Sequence, residues 1–199
     1  IIALGGGNAH LLTNLAVEQK EQSNYSLITL QKGWLFSRFE PHIIQLKGNA
    51  KTNLKGLQIS TGGEELSTHS YVRFDGPNGE LDQLNKATAN DNSHSIFNGA
   101  IQVPQVAQKT QAAQLSRNLI LSKRAKIDTK PELEIIADDV RCTHGATISQ
   151  LQEEELFYLR SRGINSKQAY SLLLEGYYKE IISMLPLYSE RWSFLNNLL

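Results

Sequence analysis

A single cysteine in 199 residues rules out an internal disulfide, so no oxidised framework holds this fold and a reducing compartment suits the chain. Charge of one sign is missing too. The 20 Lys and Arg balance 20 Asp and Glu, leaving no net field to gather nucleic acid or an anionic membrane surface, and neither is expected as a partner. No apolar run approaches the roughly 20 residues of a membrane span. The opening "IIALGGGNAHLL" carries no basic segment ahead of it and breaks at Gly5, Gly6 and Gly7, which reads as a strand and a turn. Common catalytic signatures are also missing: there is no G-x-x-x-x-G-K-[ST], no G-x-S-x-G and no C-x-x-C. The glycine triplet is not followed by the helix a dinucleotide fingerprint requires, so ATP binding by this chain alone is not expected.

What is present divides at about residue 150. Up to that point the sequence reads as short strands of three to six residues, such as "YSLITL", "HIIQLKG", "GLQIS", "SYVRFDG", "NLILS" and "PELEIIA", separated by Gly, Asn, Asp and Lys corners. No long helical segment interrupts the run after about residue 25. A sandwich, a barrel or a solenoid remain. The scarcity of Asn-Gly hairpin dipeptides favours a solenoid of parallel strands, although no fixed-period motif stands out. Beyond residue 150 the apolar period changes to that of a helix. "EEELFYLRSRG" has acidic residues in its first turn, arginines in its last and Gly163 as a C-terminal cap. Ser166 is the expected N-cap of "KQAYSLLLEGYYKEIISML", closed by Pro186, and Ser189 the start of a last helix. The expected division is thus a mainly β core over 1–150 and a small α-helical domain over 151–199.

Cys142 and His144 stand at i and i+2, on one face of any strand that holds them, with Thr143 on the other. Two such ligand types side by side suit zinc or iron, yet a structural zinc site takes four ligands and a cluster ordinarily four thiolates. The residues alone leave two readings open: a partial ligand pair, or a small buried thiol beside a hydrogen-bonded corner histidine. Asp138 and Asp139 suggest paired catalytic carboxylates, but as neighbours on a strand they point to opposite faces, and turn chemistry accounts for them equally. His10, His42, His69 and His94 fall in different strands. In the helical part, Leu156, Phe157, Tyr158, Leu172, Leu173, Tyr177, Tyr178 and Ile181 supply more apolar surface than a small helical unit buries in itself. Packing against the end of the core and docking of a partner protein are the two readings of that surface.

Residues 93–164 resemble the SufB/SufD family of iron–sulfur cluster assembly scaffold proteins, and its SufD branch in particular. "FNG", "QKT", "RNLILS", "KPELEI", "ADDV" and the Cys-x-His-Gly run occur in the family's order and spacing. The match is looser over "HSYVRFDGPNGELDQLNKA" and only one of texture over the first 50 residues. The resemblance implies a right-handed parallel β-helix with a C-terminal helical domain, and a non-enzymatic scaffold that pairs with SufB and docks the ATPase SufC through its helices. It implies that Cys142 and His144 lie at the SufB interface where a transient cluster is built. His144 would be the ligand from this side, with cysteine and glutamate ligands from SufB, and Cys142 would be buried until SufC dimerisation twists the two solenoids. No cofactor is expected to bind tightly to the chain alone. Bacterial cytoplasm or plastid stroma is the implied location. The family's usual N-terminal helical region has no counterpart here, which reads as a shortened chain whose open solenoid end invites a homodimer in isolation. Two rival readings are a β-helix carbohydrate-active enzyme built on Asp138 and Asp139, and a purely structural solenoid homodimer.

Overall fold

The computed structural model describes residues 1–186; the helix expected from Ser189 lies outside the described residues. Two compact units divide the chain, Ile1–Ser149 and Gln150–Leu199. The first contains eleven strands: β1 (Ile2–Leu4), β2 (His10–Gln19), β3 (Asn24–Lys32), β4 (Phe36–Gln45), β5 (Lys51–Ser60), β6 (Glu65–Phe74), β7 (Glu80–Ala89), β8 (His94–Val103), β9 (Gln111–Ile120), β10 (Lys126–Ile135) and β11 (Arg141–Ser149). Odd-numbered strands form one sheet and even-numbered strands the other, each strand parallel to the one a full turn earlier. This is the expected parallel β-solenoid, of about five turns.

Each turn consumes about 30 residues, and side chains in register form columns along the axis. Tyr25, Thr52, Leu81, Ala112 and Cys142 make one such column, and Leu27, Leu54, Gln83, Gln114 and His144 the next. Both point inward. Leu27, Phe39, Leu54, Val72, Phe74, Leu81, Ile101 and Ala112 join in one buried apolar cluster between the sheets, with Cys142 packed against it.

The strands run nine or ten residues after the short β1, longer than the alternation of apolar residues suggests. The reason lies in what the solenoid buries. Along β9 the residues turned inward are Ala112, Gln114, Ser116 and Asn118, all at most 3% exposed. A period of two is present, but half of it is polar and invisible to hydrophobic patterning. Buried amides persist because they bond to one another. Gln31 Nε2 donates to Thr68 Oγ1 at 2.8 Å, Ser37 Oγ donates to Gln31 Oε1 at 2.7 Å, and Gln45 Nε2 donates to Thr52 Oγ1 at 2.8 Å.

Corners set the spacing of the turns. Gly48 has φ of 90°, and a Cβ there would fall 2.1 Å from the carbonyl oxygen of Pro77 one turn on, so the two corners stack backbone against backbone. At another corner Asp91 accepts hydrogen bonds from Thr61 Oγ1 at 2.8 Å and from the Gly62 amide at 3.1 Å. These bonds hold its carboxyl below the usual range.

The second unit contains α1 (Glu153–Ser161) and α2 (Ser166–Ile182). Gly163, with φ of 85°, follows α1 as expected. The cap of α2 is Asn165 rather than Ser166: its side chain accepts from the Gln168 amide at 2.9 Å, so the helix begins one residue earlier than the Ser166 cap implies. No described helix is long and apolar enough to cross a membrane.

The amide ladder is open to test at Gln83, which accepts from Gln114 and donates to Ser70. Gln83→Leu strands both partners in the interior and is expected to lower stability by about 1–3 kcal/mol. Urea unfolding reads this, and an unchanged midpoint would show that the ladder contributes nothing.

Candidate functional site

β11 closes the odd-numbered sheet: it pairs with β9 and, among the described residues, with no strand beyond. Cys142 stands beside Ala112 and His144 beside Gln114, so the i, i+2 pair does share the inward face. Their surroundings differ. Cys142 is half-buried against the apolar cluster, while His144 is exposed. Thr143 turns the other way, into a shallow outer groove shared with Asn53, Asp82 and Arg141.

Burial pushes the Cys142 thiol above its ordinary value, and a hydrogen bond with the backbone of Ala112 offsets part of that rise. The neutral thiol therefore dominates at neutral pH, making Cys142 a poor nucleophile and a poor ligand until something uncovers it. No group of three or more His, Cys, Asp or Glu able to hold a metal occurs among the described residues. What the arrangement offers is two side chains of ligand type, with no third beside them among the described residues.

The other candidates separate from this pair. Asp138 accepts from Gln105 Nε2 at 3.0 Å, and the Asp139 amide donates to Gln108 Oε1 at 3.0 Å. The two aspartates brace the corner between β10 and β11 against the preceding one, which is the turn chemistry their adjacency suggests. His10, His42, His69 and His94 lie on the outer face of the even-numbered sheet. His10 meets the Phe36 ring edge-on, and His42 lies against Tyr71, ring centroids 5.6 Å apart. His69 shares a 3.1 Å hydrogen bond with Asn98 and is pushed down by burial and by the nearby Arg38 charge. His94 stitches three turns together, Nε2 lying 2.7 Å from Asp128 and Nδ1 3.5 Å from Glu65. Sequence reasoning missed this last arrangement, since its three members are about 30 residues apart and only the register unites them.

On the helices, Phe157, Tyr158 and Leu172 stand open, Phe157 at 70% exposure, and Arg162 lies over the Tyr158 ring at 5.3 Å from its centroid. Leu156, Leu173 and Tyr177 are partly covered. Tyr178 and Ile181 are buried. Those two do not present free surface, because the apolar face of α2 turns them inward.

Alkylation reads the covered thiol directly. With its pKa raised, the thiolate fraction at neutral pH falls below that of a free cysteine. Iodoacetamide is expected to modify Cys142 several-fold more slowly than a short peptide thiol at pH 7.5, the gap narrowing as urea unfolds the chain. Equal rates in the native state would mean that burial does not govern the thiol.

Residues 2–177 match the family described as SUF system FeS cluster assembly, SufBD core domain. The chain is 44% identical to an iron–sulfur cluster assembly SufBD family protein of Synechocystis over 92% of its own length and 40% of the relative's. It is 37% identical to the chloroplastic protein ABCI7 of Arabidopsis thaliana, over 85% of this chain and 36% of that one. Against the iron–sulfur cluster assembly protein SufD of Escherichia coli it is 37% identical, over 71% of this chain and 34% of that one. The chain thus spans two fifths or less of the length of these relatives. With the matched domain covering most of its length, the chain belongs to the SufBD family of iron–sulfur cluster assembly proteins.

Proposed function

We propose that this chain acts as a SufD-type scaffold subunit. It pairs the end of its solenoid with SufB, contributes His144 and then Cys142 to a site where an iron–sulfur cluster is assembled, and presents its C-terminal helices to the ATPase SufC. It performs no ATP hydrolysis itself. The observation that carries this reading is the inward Cys142–His144 pair on the last solenoid turn, an incomplete donor set beside edges of β10 and β11 that pair with no further strand among the described residues. A sheet edge pairs readily with a partner's strand, and the partner's residues then complete the set.

The chemistry follows from the unequal exposure of the two donors. A neutral imidazole at His144 offers a lone pair to incoming iron as the chain stands. Cys142 needs to lose a proton, and burial opposes that loss. A movement that uncovers the thiol lowers its pKa toward the ordinary value, and iron then displaces the proton. The cluster is cargo. With its ligands divided between two chains, neither chain alone holds it tightly, and separation or twisting of the pair favours release.

Copurification with SufB and SufC tests the proposal. His144→Ala is expected to assemble the complex normally while cutting cluster formation, read by visible absorbance, by at least about tenfold. Phe157→Asp, on the open helical surface, is expected to lose SufC and retain SufB. A wild-type chain that captures neither partner would sink the reading, as would unimpaired cluster formation by the combined Cys142→Ala and His144→Ala variant, an outcome that would favour a structural homodimer.

A further inference from the structure

Directly behind His144 in its inward column stands Gln114. Its side chain is 2% exposed. Its Nε2 donates to Gln83 Oε1 at 2.8 Å, and Gln83 Nε2 in turn donates to Ser70 Oγ across the interior at 2.7 Å. The Gln114 donation runs toward the preceding turn. A carboxamide is planar, with oxygen and nitrogen diverging from one carbon. When Nε2 is directed at β7, Oε1 therefore diverges from that bond. That oxygen has no hydrogen-bond partner among the described residues.

The amide is held in this position from the opposite sheet. A Cβ on Gly99 would fall 2.3 Å from Gln114 Nε2 and 3.0 Å from its Cδ, so the carboxamide fills the space that any other residue at position 99 would occupy. The next inward side chain beyond Gln114 is His144, one strand spacing of about 4.8 Å away, exposed and in no hydrogen bond among the described residues. Among the described residues, a buried acceptor without a donor thus sits one register position from an imidazole without an acceptor.

We propose that Gln114 is a positioning residue for His144: its Oε1 accepts the N–H of one imidazole nitrogen and so selects the tautomer whose other nitrogen presents a lone pair to iron. The inference rests on the reading of His144 as a cluster ligand. Metal-binding histidines ordinarily donate their second ring N–H, and that bond fixes both orientation and tautomer. Water competes for the imidazole while the solenoid end is open. Covering the end withdraws that water, and a buried oxygen and a buried N–H then have each other as partners.

Tautomer populations of the 15N-histidine-labelled chain, measured where the imidazole is neutral, test this without partner or cluster. Gln114→Met and Gln114→Glu both lose the bond to Gln83 but differ in whether an acceptor faces His144. The expected result is a preferred tautomer in wild type and Gln114→Glu, and a ratio shifted about threefold to tenfold in Gln114→Met, the range for one hydrogen bond formed in competition with water. Unchanged signals from the other four histidines report that the fold is intact. A Gln114→Met ratio equal to wild type overturns the proposal, and so does an equal shift in both variants, which would assign the effect to the ladder and not to the acceptor. If the tautomer shifts as expected while His144→Ala builds cluster normally with SufB, Gln114 still positions the ring and the functional reading fails instead.

Discussion

In a parallel solenoid each strand completes its backbone hydrogen bonds with the strand one turn before and the strand one turn after. The same neighbours complete the inward side chains, because identical positions in successive turns form continuous columns. Everything distinctive about this molecule follows from that dependence. The interior tolerates a run of glutamine, asparagine, serine and threonine because each has a neighbour at a fixed spacing to bond with, and a buried amide so placed costs little. A few polar atoms are still left over: among the described residues Gln45, Gln58, Asn85, Gln114, Asn118 and Thr129 each keep a buried polar atom without a partner, in mid-stack as well as near the last turn.

The end of the stack bears on the chemistry of Cys142 and His144. The same turn holds, on one inward face, one donor protected against the apolar cluster and one open to solvent. A strand in mid-stack would bury both, and a surface loop would expose both. The end of a solenoid supplies the intermediate case, in which burial keeps a thiol protonated while its neighbour on the same face stays open. The proposed shared site draws on this asymmetry, with the partner supplying both the missing ligands and the missing cover.

Much of this was readable in the sequence, and the rest failed for identifiable reasons. The strand-like pieces, the polar corners and the change of period near residue 150 carry the architecture. A period of two places Cys142 and His144 on one face whatever the fold. The true strand lengths were hidden because inward positions such as Gln83, Gln114 and Asn118 look like solvent-facing residues when only hydrophobicity is read. The cap at Asn165 was hidden because Ser166 is an equally good capping type, and only backbone geometry separates the two. Gln114 itself carried no signal. A glutamine on a strand becomes informative once its column is known, and the column joins residues about 30 positions apart.

The stacked corner at Gly48 and Pro77 has a consequence for how such a chain changes over time. Strand rise and sheet spacing are fixed by the peptide, but the corners joining the strands vary in length from turn to turn, so successive columns are offset by unequal numbers of residues. An insertion in a permissive corner leaves every column intact, whereas one inside a strand exchanges the inner face for the outer. Inheritance therefore conserves position along the axis and lets spacing in the chain drift. This is why a structure so regular in space has no repeat visible in its letters.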